Sequence, residues 1–338
     1  MFNAPFALSL ALLLSFPLLF LFAPHILPPK PARISLPDEL DDIALFRRAT
    51  LASLDGGGVP KIAYLFLTNT DLHFAPLWDL FFRGNEALYN IYVHADPSSG
   101  VTPPGGVFSG CRFISAKKTQ RASPTLISAA RRLLATALLD DPSNSYFALV
   151  SQYCIPLHSF TYMYATLFPK PSSTLFPSFI EISSDQPVLW DRYIARGKNV
   201  MLPEVPFNRF RAGSQFFVLA RQHAVVVVRD RRLWRKFRLP CLNLDSCYPE
   251  EHYFPTLLSM EDPDGCTHYT LTRVNWTGSV GGHPHMYGPE ELSASLIYEL
   301  RLSNSSYSFM FARKFSPDCL QPLLDIAGKV PVLERISK

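Results

Sequence analysis

The chain enters its folded core at Ile62-Ala63-Tyr64-Leu65-Phe66-Leu67, an unbroken apolar run. A strand that is apolar on both of its faces is typical of a parallel sheet covered by helices. The runs Tyr89–His94 and Tyr146–Ser151 have the same character. Helical spacing over His73–Phe82 and a helix start at Ser123-Pro124 separate the three runs. This alternation predicts an α/β fold with a mainly parallel sheet flanked by helices.

Polar residues stand where two of these runs end. Asp96 follows His94 by two positions, and Gln152 comes directly after Ser151. Ligands of open α/β sheets bind beyond the carboxyl ends of the strands. The sequence therefore predicts a ligand site at this edge of the sheet.

The second half of the chain has a more mixed pattern. Gln215–Leu219 is predicted to be a strand, and Ala224–Val228 suits either a strand or a β-branched part of a helix. Arg229–Arg238 holds six basic residues between apolar ones. We interpret this segment as a solvated amphipathic helix, with contact to an anionic ligand or membrane surface as the alternative.

Composition sets the broad class of the protein. The 338 residues are 48% hydrophobic and 18% charged, which suits one large domain or two small ones. The formal net charge of +4 is too small to indicate a nucleic-acid partner. The 30 prolines and 16 glycines disfavour a helical bundle or a repeat array.

The N-terminus carries an apolar segment, residues 4–23, that is long enough to span a bilayer. We predict a short cytosolic tail over 1–3, a transmembrane anchor over 4–23, a stem or linker over 24–60 and a lumenal domain over 61–338. A cleaved signal and a buried helix are the alternatives for the apolar segment. The first basic residues, Lys30 and Arg33, follow that segment, which argues against a cytosolic N-terminus.

Two further features favour a lumenal location. Asn275 and Asn304 begin acceptor sequons for N-glycosylation. Six cysteines behind an apolar N-terminal segment favour disulfide bonds. The spacing of the cysteines matches no zinc motif, so we expect no structural metal, and the fifteen pairings that six cysteines allow stay open.

Adjacent carboxylates, Glu250 and Glu251, lie between a cysteine pair and the apolar run that begins at Tyr253. Neighbouring side chains diverge on a helix and on a strand, so the two cannot act together on one bond. We expect one carboxylate to face a site as an acid or base and the other to cap a helix or contact solvent. The alternative is that both only decorate a helix N-terminus.

A pair of cations bracketed by phenylalanines, Arg313 and Lys314, follows near the C-terminus. On a strand the two would point to opposite faces, so one of them could reach a phosphate group. An edge strand with ordinary surface charges is the alternative.

Six segments occur in the same order as in the plant branch of the core-2/I-branching β-1,6-N-acetylglucosaminyltransferase-like proteins, which the chain resembles. The resemblance extends from Lys61 to Leu324. The segments that carry the resemblance are Lys61–Thr68, Tyr92–Asp96, Cys154–Phe160, Gly213–Phe217, Glu251–Thr256 and Phe311–Pro317.

The resemblance implies a single-pass type II Golgi membrane protein with a lumenal GT-A-like domain. It implies inverting transfer from a UDP-sugar, with GlcNAc as one candidate, to a cell-wall polysaccharide or a glycoprotein glycan. No metal cofactor is implied, and Asp96 has no second Asp at the spacing of a metal motif. Self-association into a homo-oligomer stays open. A catalytically silent, scaffold-like relative is the main alternative, and a glycoside hydrolase would need Asp191 or Asp245 to approach Glu251.

The resemblance also implies roles for individual residues. Glu251 falls on the general base, and Lys314 falls on the cation that neutralises the diphosphate. The remaining implied residues are Arg301 as a second phosphate contact, His94 and Asp96 near the nucleotide, Trp276 and Ser214 near the acceptor, and Cys111 with Cys154 as a disulfide.

Overall fold

Strand β1 (Lys61–Thr68) lies at the centre of the main sheet in a computed structural model that describes residues 39–51, 58–109, 112–169, 176–279 and 281–329. Its alternating side chains enter two separate apolar cores. Ala63, Leu65 and Leu67 pack in one core, and Ile62, Tyr64 and Phe66 pack in the other. The unbroken apolar run is therefore explained by burial on both faces of the sheet.

The main sheet has five strands in the order β3-β2-β1-β4-β6, all parallel except β6, which runs antiparallel to β4. A second sheet has the order β5-β8-β7, with β8 parallel to β7 and antiparallel to β5. The other strands are β2 (Tyr89–Ala95), β3 (Arg112–Phe113), β4 (Asn144–Ser151), β5 (Ile155–Pro156), β6 (Val218–Ala220), β7 (Thr272–Val274) and β8 (Phe311–Arg313).

Helices cover both faces of the main sheet, as predicted. The helix that starts at Ser123-Pro124 is present, and the Ser123 hydroxyl accepts a hydrogen bond from the backbone N–H of Thr125 at its N-terminus. The helices are α1 (Glu39–Ala49), α2 (Ala75–Phe82), α3 (Pro124–Asp140), α4 (Phe160–Leu167), α5 (Leu189–Ile194), α6 (Arg221–Arg229), α7 (Trp234–Phe237), α8 (Tyr253–Glu261), α9 (Ala294–Arg301) and α10 (Leu320–Lys329).

The structure changes several expectations for the second half. The strand predicted over Gln215–Leu219 is confined to β6, whereas Ala224–Val228 belongs to helix α6, one of the two alternatives that its pattern left open. Within Arg229–Arg238, only the four residues of α7 form a separate helix. Strand β8 is the central strand of its sheet, so the edge-strand alternative is wrong. Tertiary pairing, which local propensity does not encode, decides these elements.

The predicted stem over 24–60 contains part of the globular unit, which spans Pro37–Lys338. Helix α1 lies within that stem and packs on α3 through a buried ion pair between Asp42 and Arg132, with 2.6 Å from Arg132 Nε to Asp42 Oδ1. Ala49 at the end of α1 is fully buried. The boundary at residue 60 is therefore wrong, because a helix before it helps to build the core.

The predicted tail and anchor, residues 1–23, lie outside the described residues. Among the helices that the structure describes, none is long and apolar enough to cross a membrane.

Cysteine pairing differs from the resemblance. A disulfide joins Cys241 and Cys247, whose Cα atoms are 6.1 Å apart. Cys154, the predicted partner of Cys111, has a free, buried thiol that lies 3.2 Å from the Ser151 hydroxyl. Cys111 itself lies outside the described residues. The tight turn after β4 holds the Cys154 sulfur against its own loop, where it bonds locally.

Candidate active site

Two neighbouring cavities open beside the carboxyl ends of β1 and β4 and share one wall. The larger cavity has a volume of about 430 Å³ and the smaller one about 220 Å³. The residues that line both are Gln215, Phe216, Glu251, Trp276 and Arg313. Glu251 and Trp276, which sequence analysis placed in the catalytic site, are therefore brought together in this shared wall.

The smaller cavity lies where the parallel strands end, as predicted for a ligand site. The Gln152 side-chain amide donates a hydrogen bond of 2.7 Å to Asn69 and so ties the end of β4 to the end of β1. Both residues, together with Thr68 and Ser151, line the cavity.

Three cations line the smaller cavity: Arg121, Arg313 and Lys314. Lys314 Nζ lies 4.7 Å from the centroid of the Tyr153 ring. Burial, followed by the charges of Arg313 and Arg121, lowers the pKa of Lys314. Both cations of the bracketed pair face the cavity, so the expectation that they point to opposite sides is wrong. The arrangement can neutralise a polyanionic ligand such as a diphosphate.

The larger cavity combines polar groups with an aromatic side chain. Glu181, Ser214 and Arg273 line it beside Trp276, whose side chain is 53% exposed. The Ser214 hydroxyl accepts a hydrogen bond of 3.1 Å from the Phe216 backbone N–H. Burial, with a smaller contribution from the charge of Glu251, raises the pKa of Glu181. A cavity that combines polar groups with aromatic rings, here Phe216, Trp276 and Phe309, is suited to a sugar.

Gly213 lies against the backbones of Glu181 and Glu251, the two glutamates that line the larger cavity. The Gly213 backbone N–H donates a hydrogen bond of 2.9 Å to the Glu251 carbonyl oxygen. A Cβ atom at this position would collide with the carbonyl oxygen of Glu181. Glycine is therefore required here, because the backbones of residues 181 and 213 approach too closely for any side chain.

Glu251 ends a short 3₁₀ helix, Pro249–Glu251, directly before α8. Its carboxylate forms an ion pair with Nη1 of Arg192 from α5, and its side chain is 29% exposed. The Arg192 guanidinium also lies 4.8 Å from the Tyr248 ring centroid. Arg192 was missed in the sequence, because only the fold brings it to a glutamate 59 residues away.

We expected the second carboxylate to cap a helix or to contact solvent, but Glu250 is buried. It is 3% exposed, lines the smaller cavity, and accepts a hydrogen bond of 3.0 Å at Oε1 from the Ala122 backbone N–H. Burial raises the pKa of Glu250 to about 7, and the neighbouring charge of Glu251 acts in the same direction. Both glutamates therefore face the candidate site, so the alternative of helix decoration is wrong.

His94 and Asp96 are both buried and absent from the linings of the two cavities. Burial, with help from Arg132, lowers the pKa of His94 to about 4. The Asp96 carboxylate accepts hydrogen bonds from Ser98 and from Thr119, which does line the smaller cavity. Neither residue lines a cavity, so a nucleotide contact stays a prediction for both, and the structure shows that Asp96 orders the loop that carries Thr119.

Arg301 is not at the candidate site either. It is buried, and its Nε donates a hydrogen bond of 2.7 Å to the Leu157 carbonyl oxygen. Its guanidinium lies over the Tyr298 ring at 5.0 Å. The structure shows that this cation holds the backbone after β5, and its predicted contact with phosphate stays a prediction. Arg121, which the sequence did not single out, is the further cation at the smaller cavity.

The remaining predicted residues are at the surface. Asp191 and Asp245 are exposed and line neither cavity, so the structure does not bring them to Glu251 as a hydrolase would need. Asn304 is exposed, whereas the Asn275 amide donates to the Tyr287 hydroxyl at 3.2 Å. Within the described parts of the chain, no group of three or more His, Cys, Asp or Glu could hold a metal ion.

A mainly parallel sheet with a cation-lined cavity at its carboxyl edge, next to a second polar cavity, fits a GT-A-like glycosyltransferase. The model of the core-2/I-branching enzyme family matches residues 62–301, and the chain belongs to that family. It is 29% identical over 320 residues to Glycosyltransferase BC10 of Oryza sativa subsp. japonica. The alignment covers 80% of this chain and 77% of that protein. The protein is accordingly a glycosyltransferase.

Proposed function

We propose that the enzyme transfers a sugar from a UDP-sugar in the smaller cavity to a glycan hydroxyl in the larger cavity, with inversion at the anomeric carbon. The position of Glu251 carries this proposal, because its side chain lines both cavities. A carboxylate in a shared wall can contact a hydroxyl on one side and face the reacting carbon on the other.

In the proposed reaction, the acceptor oxygen attacks the anomeric carbon while the bond from that carbon to the diphosphate breaks. The Glu251 carboxylate takes the proton of the acceptor hydroxyl. UDP leaves with the electron pair of the broken bond. Arg121, Arg313 and Lys314 stabilise the charge that grows on the diphosphate, the role that a divalent metal has in other transferases. We propose that the reaction needs no added metal.

The proposed acceptor is a cell-wall polysaccharide or a glycoprotein glycan, and GlcNAc is one candidate for the transferred sugar. The aromatic ring of Trp276 and the carboxyl group of Glu181 in the larger cavity support a carbohydrate acceptor. Sugars present both apolar ring faces and hydroxyl groups, so they suit such a mixed lining.

We further propose a type II protein of the Golgi membrane with its catalytic domain in the lumen. The apolar segment at residues 4–23 supports an anchor. The disulfide between Cys241 and Cys247 supports an oxidising compartment.

The experiment that tests the function uses the full chain purified in detergent and a panel of UDP-sugars with glycan acceptors. Glu251→Gln should abolish transfer and leave UDP-sugar binding largely intact, because the amide cannot accept the proton. The matched control is Glu261→Gln, since Glu261 is an exposed glutamate paired with Arg232. Full transfer by Glu251→Gln would exclude the role of general base.

Two further measurements define the donor site. Lys314→Ala should weaken UDP binding, and unchanged affinity would contradict its contact with phosphate. Activity should survive a chelator, and complete loss that added metal restores would contradict metal-independent transfer. Wild-type protein that neither binds nor transfers from any UDP-sugar would favour a silent scaffold.

A further inference from the structure

The two carboxyl oxygens of Glu250 have different surroundings. Oε1 accepts a hydrogen bond of 3.0 Å from the backbone N–H of Ala122, directly before the N-cap of α3. Oε2 is buried and has no hydrogen-bond partner among the described residues. The side chain is 3% exposed and lines the smaller cavity. A buried polar atom without a partner is costly, which makes it a candidate for contact with a ligand.

We propose that Glu250 is a neutral carboxylic acid that donates a hydrogen bond from Oε2 to an oxygen of the nucleotide sugar in the smaller cavity. This inference rests on the proposed donor site and adds a residue that positions the donor. The two glutamates then have different roles. Glu250 donates a hydrogen bond to the nucleotide sugar, and Glu251 takes the proton of the acceptor hydroxyl.

The surroundings favour the neutral acid. An ionised carboxylate needs several donors when it is buried, whereas Glu250 accepts backbone hydrogen bonds and its Oε2 atom has no partner among the described residues. Burial is the main cause that raises its pKa to about 7, and the negative charge of Glu251 adds to it. Arg121 acts in the opposite direction. The charge of a bound diphosphate would favour the neutral acid further, because an ionised Glu250 would repel it.

Arg196 is a further charged group that interacts with Glu250. It is buried, and the charge of Glu250 opposes the lowering of its pKa by burial. Its Nε and Nη1 atoms have no partner within the described residues, so the two side chains form no hydrogen bond. A purely structural pairing of Glu250 with Arg196 would therefore need a rearrangement, and the experiment below separates it from donor contact.

The pH dependence of donor affinity tests the proposal on the full chain. Isothermal calorimetry would measure UDP-GlcNAc and UDP-glucose, whose diphosphate diesters do not titrate between about pH 6 and about pH 8. If the neutral form binds, the wild-type affinity should fall about tenfold from pH 6 to pH 8, because the neutral fraction of an acid with a pKa near 7 falls by that factor. Glu250→Gln should bind with nearly equal affinity at both pH values, because its amide donates throughout.

Two variants complete the design. Glu250→Met keeps the size of the side chain but donates no hydrogen bond, so it should bind weakly at both pH values. Lys314→Arg should keep the fall in affinity, because a guanidinium stays charged across this range. Loss of the pH dependence in Lys314→Arg would assign it to Lys314 and overturn the proposal.

The outcomes separate the inference from the proposed function. A flat wild-type profile would overturn the inference, whether or not any variant folds. Glu250→Gln with the same pH dependence as the wild type would overturn it too, because another group, such as His283 in the lining of the same cavity, would then titrate. Wild-type protein that binds neither UDP-sugar at either pH would overturn the donor site as well.

Discussion

Replacement of Arg192 by alanine should lower the rate of sugar transfer strongly and the free energy of unfolding only slightly. Arg192 reaches from α5 to the Glu251 carboxylate, and its Nη1 atom also lies 3.4 Å from His252 Nε2. Its guanidinium contacts the Tyr248 ring. The variant leaves the Glu251 carboxylate without the cation that fixes its direction between the two cavities. We expect most of the loss to be in turnover.

The magnitude follows from the exposure of the pair. The side chains of Arg192 and Glu251 are 18% and 29% exposed, so solvent screens their attraction in part. We therefore expect a loss of unfolding free energy of only about 1 kcal/mol. A charge-assisted hydrogen bond that orients a reacting group contributes about 1.5–3 kcal/mol, so kcat/KM should fall roughly 10- to 150-fold.

The assay combines initial rates of sugar transfer with denaturant unfolding on the same preparations. Arg192→Lys should be intermediate, because a lysine restores the charge but not the planar guanidinium. Arg232→Ala is the matched control, since Arg232 pairs with Glu261 at an exposed site of helix α8. It should change neither measurement.

A double variant tests the coupling of the pair. In the Glu251→Gln background, where transfer is abolished, Arg192→Ala should cause little further loss of unfolding free energy, because the interaction is already removed. The reasoning is refuted if Arg192→Ala leaves kcat/KM unchanged. An equal further loss in the double variant would show that Arg192 acts independently of Glu251.

Three other predictions concern stability, backbone packing and modification. Asp42→Asn should lower the unfolding free energy by about 3–5 kcal/mol, because it leaves the buried Arg132 charge without its carboxylate; thermal unfolding measures this. Gly213→Ala should reduce transfer and cost about 1–3 kcal/mol, because its Cβ meets the Glu181 carbonyl oxygen; rates and chemical unfolding measure both effects. A glycan should be found on Asn304 by mass spectrometry of glycopeptides, because that side chain is exposed.

Each of these predictions has a control and an opposing result. Asp41→Asn, at an exposed neighbouring position, should leave stability unchanged, and an equal loss would contradict the role of the buried pair. Gly105→Ala should be neutral, because nothing lies within 4 Å of its added Cβ. A glycan on Asn275 in place of Asn304 would contradict the third prediction, since Asn275 bonds to Tyr287.

The parallel sheet could be predicted because its signal is local. In β1, β2 and β4 the apolar residues stand on both faces, and this pattern is written in consecutive positions. The start of α3 was equally readable, since Ser123 and Pro124 act within one turn. The site at the carboxyl ends followed from the topology that those strands define.

The partners of the site residues could not be predicted because they come from distant segments. The Ala122 N–H that bonds Glu250 lies 128 residues away in the chain. His94 lies near the end of β2 and Ser151 ends β4, yet only the packed fold shows that Ser151 lines the cavity and that His94 does not. Burial depends on every segment that packs around a side chain, and a linear pattern does not record it.

The sequence by itself determined the order of strands and helices in the first half of the chain, the edge of the sheet where ligands bind, and the presence of carboxylates and cations for chemistry. Only the tertiary structure decided their arrangement: Glu251 between two cavities with Arg192, and Glu250 buried beside it. The physical reason is that hydrophobic periodicity acts over neighbouring residues, whereas the solvation and pairing of a charge are set by the groups that folding brings around it.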